Sequence, residues 1–240
     1  MRWLAVVFAS MLATSVARAD ECPVPHGANP KLGQVEAGVR LGTIRHLLVS
    51  QADWADRWQT GWFTARTVIL VGELGLGMIS ADPGDRTDAW ITSAFAAVPP
   101  IGTLLFGLRV QRDAPRFLRR ADLDTDASRC AYVALGEQLL ARDAENEDEN
   151  RGWVQHALQI GGSTALFLVL GLGYGHWRNA IVNGLAGIAL GEAQILSQPI
   201  ALVSGYRRYL AGDFDAPKLS VTVSPRVGEG GWGVAIEGRF

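Results

Sequence analysis

Charge is what this sequence has least of. Only 19% of its 240 residues are Asp, Glu, Lys or Arg, against about 25% in ordinary soluble domains. From Ala157 to Gly175 there is none at all. A helix of that length rises roughly 28 Å, close to the hydrocarbon thickness of a bilayer. The net charge of −2 leaves no global field to recruit nucleic acid or an anionic substrate. Cysteine is limited to Cys22 and Cys130, and the four histidines, His26, His46, His156 and His176, are scattered. None stands at metal-ligand spacing from another, so no metal and no cofactor is expected. Ser163 and Ser197 lack a G-x-S-x-G setting, and no glycine loop follows a strand to cradle phosphate. The membrane-phosphatase pattern that His176 and Arg178 invite is missing its Pro-Ser-Gly-His element.

What is present is a set of apolar stretches carrying many of the 28 glycines, which let membrane helices approach closely. Residues 1–19 have the form of a signal peptide: Arg2, an apolar core from Trp3 to Val16, and an Ala17-Arg18-Ala19 cleavage site. Export would place Cys22 and Cys130 in an oxidising compartment, where an even pair predicts a disulfide. Closing that loop would contribute roughly 4–5 kcal/mol by loop-entropy arithmetic.

Periodicity divides the rest. Residues 20–61 form an exported segment. Within it Val35, Ala37, Val39 and Leu41 alternate with polar neighbours, which predicts a short strand over Gly33–Gly42. Ile44, Leu47, Leu48, Trp54, Ala55 and Trp58 then fall on one helical face. That amphipathic helix suits either the membrane surface or a protein partner. A first membrane pair covers 62–108: one span from Trp62 to Ser80, and one from Ala89 to Leu108 that the Pro99-Pro100 pair should kink or break. A polar exported segment, 109–152, holds a helix over Ala127–Ala141 and an acidic loop from Asp143 to Asn150. A second pair covers 153–204, with spans Trp153–Tyr174 and Asn179–Ser204. Trp62, Trp90, Trp153, Tyr174, Trp177, Tyr206 and Tyr209 bracket these spans as interfacial aromatics do. The face Gly161, Ala165, Val169, Gly173 is expected to pack against other helices.

The tail, 205–240, turns to strand patterning. Leu219, Val221 and Val223 alternate, a glycine turn follows at 228–231, and Trp232, Val234, Ile236, Gly238 and Phe240 alternate again. The last nine residues resemble the C-terminal strand signature of bacterial outer-membrane proteins. A β-hairpin that pairs with the strand near Gly33 is an equal account. The expected fold is therefore mainly α, a four-helix transmembrane bundle with an N-terminal amphipathic helix and a C-terminal β-hairpin. Its rival is an outer-membrane β-barrel.

Threading and charge distribution disagree. A cleaved signal puts the N-terminal segment, 109–152 and the tail outside. Yet Arg109, Arg112, Arg116, Arg119 and Arg120 then lie outside, against only Arg86 and Arg178 in the inner loops, the reverse of the usual bias. Either the signal dominates orientation, or the protein sits in the outer membrane, or the helices do not span. The first is preferred, which favours the inner membrane of a bacterial envelope over the outer.

Three ionisable residues fall inside spans: Arg66, Glu73 and Glu192. Each costs at least ~2.5–3.5 kcal/mol at a bilayer centre unless partnered. They predict either a polar centre with the two carboxylates facing each other, or packing contacts to groups such as Asn183, Gln194 or Ser163. The expected role is non-catalytic: a structural or assembly component whose partners are the lipid bilayer and a membrane protein or second copy, with no nucleic acid. Its five arginines between 109 and 120 would meet headgroups or that partner. A small channel or transporter built on Arg66, Glu73 and Glu192 is the alternative, and a membrane-embedded hydrolase the third.

Overall fold

The computed structural model describes residues 22–105, 107–119, 125–214, 220–228 and 231–239. The expected signal peptide, Arg120 and Phe240 lie outside the described residues. A 3-10 turn at Pro30–Gln34 leads into α1 (Ala37–Ile79), α2 (Pro83–Leu105), α3 (Val110–Leu118), α4 (Asp126–Glu149), α5 (Trp153–Leu168), α6 (Trp177–Leu196) and α7 (Ala201–Ala211). A π turn, Val169–Gly173, continues α5. At the C-terminus β1 (Ser220–Gly228) and β2 (Gly231–Arg239) pair antiparallel with Val223 opposite Ile236.

Among the described residues there are four helical rods, over residues 37–79, 83–118, 127–173 and 177–211, and each is long and apolar enough to cross a membrane. The apolar part of each rod is turned outward: only 17% to 24% of its residues are buried. Val71, Met78, Ile79, Leu104, Leu105, Leu158, Leu172 and Leu185 are all exposed. Water would not tolerate a continuous apolar belt of that size, whereas hydrocarbon would. These are the properties of an integral membrane protein, and the β-barrel alternative finds no support.

The other part of each rod is amphipathic and closes around a dry core. Ile44, Leu48, Ala55, Trp58, Val110, Phe117, Leu140, Leu202 and Tyr209 meet there, contributed by α1, α3, α4 and α7. This head lies at one end of the bundle. Cys22 and Cys130 are joined by a disulfide, with Cα atoms 5.0 Å apart, and tie the segment before α1 to α4.

Several expectations are corrected. The predicted strand over Gly33–Gly42 is instead the 3-10 turn and the first turns of α1. The alternation there is real, but Ala37, Arg40, Ile44, Leu47 and Leu48 also fit helical spacing, and it is this set that is buried. The separate N-terminal amphipathic helix does not exist either. Residues 44–58 are part of α1, whose 43 residues run unbroken into the first span and pack on protein. The acidic loop Asp143–Asn150 is the last part of α4, because Asp143 and Glu147, four residues apart, turn inward with Ala144. The Pro99-Pro100 pair leaves α2 helical to Leu105. Proline's fixed φ suits a helix, and the lost backbone bonds are offset by the extensive packing of α2 on α1. The fourth span ends early, at Leu196, and Ser197–Ile200 separates α6 from α7.

Two expected interfacial aromatics are core residues. Trp62 donates from Nε1 to Ser197 Oγ (2.9 Å), and Tyr209 is enclosed in the head. Trp153, Trp90, Tyr174 and Trp177 remain exposed near span ends. The small-residue face of α5 also points outward: Gly161, Ala165, Val169 and Gly173 are exposed, and Ser163, Leu166 and Leu170 face the bundle. Close approach is provided from the α6 side. A Cβ on Gly191 would lie 1.8 Å from the Gln159 side chain, and one on Gly187 2.8 Å from Ser163 Oγ.

Candidate functional site: a polar cavity between the spans

Apolar helices carry few polar groups, so the places where those groups meet define the site. Arg66, on the head-side part of the first span, is 7% exposed. Its Nε donates to Gln194 Oε1 of α6 at 3.2 Å, and its guanidinium lies 5.9 Å from the Trp62 ring centre. Its Nη2 has no hydrogen-bond partner. Glu73 follows two turns later, half-buried, and forms no hydrogen bond or ion pair among the described residues. Both residues line a cavity of about 450 Å³ between α1, α2, α5 and α6. The other polar lining groups are Thr92, Gln159, Ser163 and Asn183. Gln159 is held by Gly187 O (2.9 Å) and Ser163 Oγ (3.2 Å), whereas the Thr92 hydroxyl is buried without a partner.

The prolines of α2 contribute here too. Pro99 and Pro100 have no N–H, so the carbonyls of Phe95 and Ala96 lose their usual donors. Phe95, Ala96 and Pro99 all line the cavity.

Glu192 is not part of this site. Its Oε2 lies 2.6 Å from Nδ1 of His156, at the head side of α5. The expected pair of facing carboxylates is therefore absent: Glu73 opens on the cavity, and Glu192 is committed to a histidine. Of the three predicted residues, the structure brings Arg66 and Glu73 to one cavity and places Glu192 outside its lining.

A further polar cluster sits at the end of the bundle opposite the head. Asp88 of α2, 4% exposed, lies 2.5 Å from His176 Nδ1 and accepts from Asn179 Nδ2 at 2.6 Å. It joins the two hairpin turns of the membrane pairs. Sequence reasoning missed it, because Asp88 and His176 are 88 positions apart. The only signal was an aspartate at the start of an apolar span.

The head carries its own buried charges. Arg40 is fully enclosed, bonded to Glu137 Oε1 (2.5 Å), Tyr209 Oη (3.2 Å) and the carbonyl oxygens of Cys22 and Pro23. Tyr209 also donates to Glu137. Burial, reinforced by Glu137, raises the Tyr209 hydroxyl well above the ordinary tyrosine range. Asp113 of α3 accepts from Arg142 and faces Asp143. Burial and then that neighbouring Asp113 push the Asp143 carboxyl up to about 8. Burial, helped by the neighbouring Asp143, pushes Glu147 up to about 8, against the lowering effect of backbone donors at the start of α7, among them Leu202 N at 3.0 Å. Arg112 and Arg116 on α3, and Arg109 and Arg119 flanking it, are exposed, while the inner side of α3 buries Val110, Ala114 and Phe117.

Among the described residues no group of three His, Cys, Asp or Glu side chains could hold a metal ion. No protein family, no characterised protein and no solved structure matches the chain.

Proposed function

We propose that this chain is a non-catalytic integral membrane protein of the bacterial cell envelope, exported by its signal segment, and a structural or assembly component of a membrane complex. The head carries this reading. All four rods run beyond their apolar parts into one folded body. A disulfide, which persists on the oxidising side of a membrane, closes it. Four arginines stand exposed on and beside α3. Arg109 and Arg112 come first after the apolar Leu104 and Leu105, the order that suits contact with anionic headgroups or an acidic partner. The outward small-residue face of α5 would accept a partner helix or a second copy. Mild extraction from fractionated inner and outer membranes, after cross-linking, tests the proposal. A stable adduct lost in Arg112→Glu and Arg116→Glu supports it, and a monomer in all membranes and variants refutes it.

One observation favours a second reading, the binding or passage of a small solute within the bundle. The cavity holds a cation and a carboxylate that do not satisfy each other. Solute flux in proteoliposomes, compared between wild type and Glu73→Gln, tests it. Unchanged flux would leave these groups a packing role.

A further inference from the structure

We propose, building on the solute-binding reading, that the cavity binds a zwitterion with an apolar body and charges about 10 Å apart, the class to which short apolar peptides belong. The cavity's charge balance disfavours any ligand of net charge. Arg66 and Glu73 both line it, and together they are neutral. A ligand of net charge would leave an uncompensated charge in the hydrocarbon region, at a cost of several kcal/mol.

The two charges stand at different depths. Seven residues of one helix separate them by about 10 Å of rise. The α2 contacts place a second polar group beside Glu73. Gln59 of α1 reaches Thr103 O (2.9 Å), and Gly77 lies against Trp90, so α2 runs antiparallel to α1 and Thr92 comes level with the region of Glu73. On α6, Gln194 meets Arg66, and Asn183 lies eleven positions earlier, well toward the Glu73 end. One end of the cavity thus offers a guanidinium. The other offers a carboxylate, a hydroxyl and an amide. Ile69, Phe95, Leu158 and Leu166 form the wall between.

Two of these groups show that the polar complement is incomplete within the protein. Arg66 Nη2 and Thr92 Oγ1 are closed to solvent and make no hydrogen bond within the protein, and such groups are rare in folded interiors. A ligand carboxylate on Arg66 and an ammonium on Glu73 would meet both charges at once. An extended chain advances about 3.3–3.6 Å per residue, so the termini of a tripeptide span the required distance. The cavity volume, about 450 Å³, lies within the range of ligand sites, about 300–1,000 Å³.

The test is calorimetric titration of the full chain in nanodiscs with Ala-Val-Ala, its N-acetyl form, its C-terminal amide and the doubly blocked peptide. The free tripeptide should bind, and blocking either end should weaken binding about tenfold or more, as expected for a lost charge-assisted contact. Glu73→Gln should erase the difference between free and N-acetylated peptide. Arg66→Gln should erase the difference between free and amidated peptide, and Arg66→Lys, which keeps the charge, should restore part of it. Equal binding of free and doubly blocked peptide would overturn the proposal, as would tighter binding of the N-acetyl anion. In either case a solute site would still stand. No binding by any peptide, together with Glu73-independent flux, would remove the site as well.

Discussion

Nδ1 of His156 and Oε2 of Glu192 lie 2.6 Å apart, joining the head-side ends of α5 and α6. The bond fixes the register of the second membrane pair where Gly187 and Gly191 let the helices touch. Removing one partner leaves the other in a half-buried, weakly solvated position. His156→Ala and Glu192→Ala should each lower the unfolding midpoint in detergent. The double variant should lose less than the sum, with a coupling of about 0.5–3 kcal/mol, the range for contacting pairs. Additive losses would show that the pair does not hold the helices together.

The head should be most stable in mild acid. Asp143 and Glu147 are both held near 8 in the folded protein by burial, while an unfolded chain ionises them near 4. Between those values the folded state binds more protons than the unfolded state, so stability falls as pH rises from about 4 to about 8. The slope is at most about 1.4 kcal/mol per pH unit for each group. Below and above that window these groups contribute no slope. Unfolding curves at pH 5 and pH 8 would show the difference, and Asp143→Asn with Glu147→Gln should flatten it. A slope unchanged in that double variant would assign the proton uptake elsewhere.

Gly191 should tolerate nothing larger than hydrogen. A Cβ there would lie 1.8 Å from Gln159, whose amide also bonds Gly187 O and Ser163 Oγ. Gly191→Ala should therefore force Gln159 from its place and lower the detergent unfolding midpoint by the equivalent of about 1–3 kcal/mol, the cost of overpacking. Gly161→Ala, on the exposed face with open space around it, should change the monomer little. Equal effects of the two would contradict the packing of α5 on α6.

The four spans were legible because a long, largely apolar run of membrane length needs no partner to be recognised. Arg66 and Glu73 were legible for the complementary reason, as charges in the wrong solvent. The head was not. Its inner faces include Arg40, Asp113, Glu137, Asp143 and Glu147, which any hydrophobic pattern assigns to the surface. Their burial depends on partners as far as 169 positions away. For the same reason residues 33–42 read as a strand: with Arg40 counted as polar, the alternation of Val35, Ala37, Val39 and Leu41 outweighs the helical set that contains it. His156–Glu192 and Asp88–His176 are contacts between helices, set by the bundle's geometry and invisible in spacing along the chain.

The disulfide should stabilise the head and leave the spans inserted. Cys22 and Cys130 connect the segment before α1 to the start of α4, next to the buried Val133 and Ala37. Arg40 also bonds the carbonyls of Cys22 and Pro23, so release of this segment would expose one side of a buried guanidinium. Cys22→Ser with Cys130→Ser should destabilise the head by about 2–5 kcal/mol, typical of a removed native disulfide. Limited proteolysis should then cut first near residues 22–36, while alkaline extraction leaves the protein in the membrane. Extraction into the aqueous fraction would show that the head, and not the apolar belt, holds the chain in place.

Threading gives the last test. The turn at 81–82 and the Gly175–His176 turn lie at the end of the bundle opposite the head, and Glu145 is exposed on α4 within the head. If the four rods cross a membrane, the two ends face different compartments. Single substitutions Arg86→Cys and Glu145→Cys, each in an otherwise intact chain, should be labelled by an impermeant maleimide from opposite sides. Glu145→Cys should react from the side that keeps the Cys22–Cys130 bond oxidised. Arg86→Cys should react only after the membrane is opened. Equal labelling of both in sealed cells would defeat the four-span arrangement. The apolar belt would then have to be covered by protein instead of lipid.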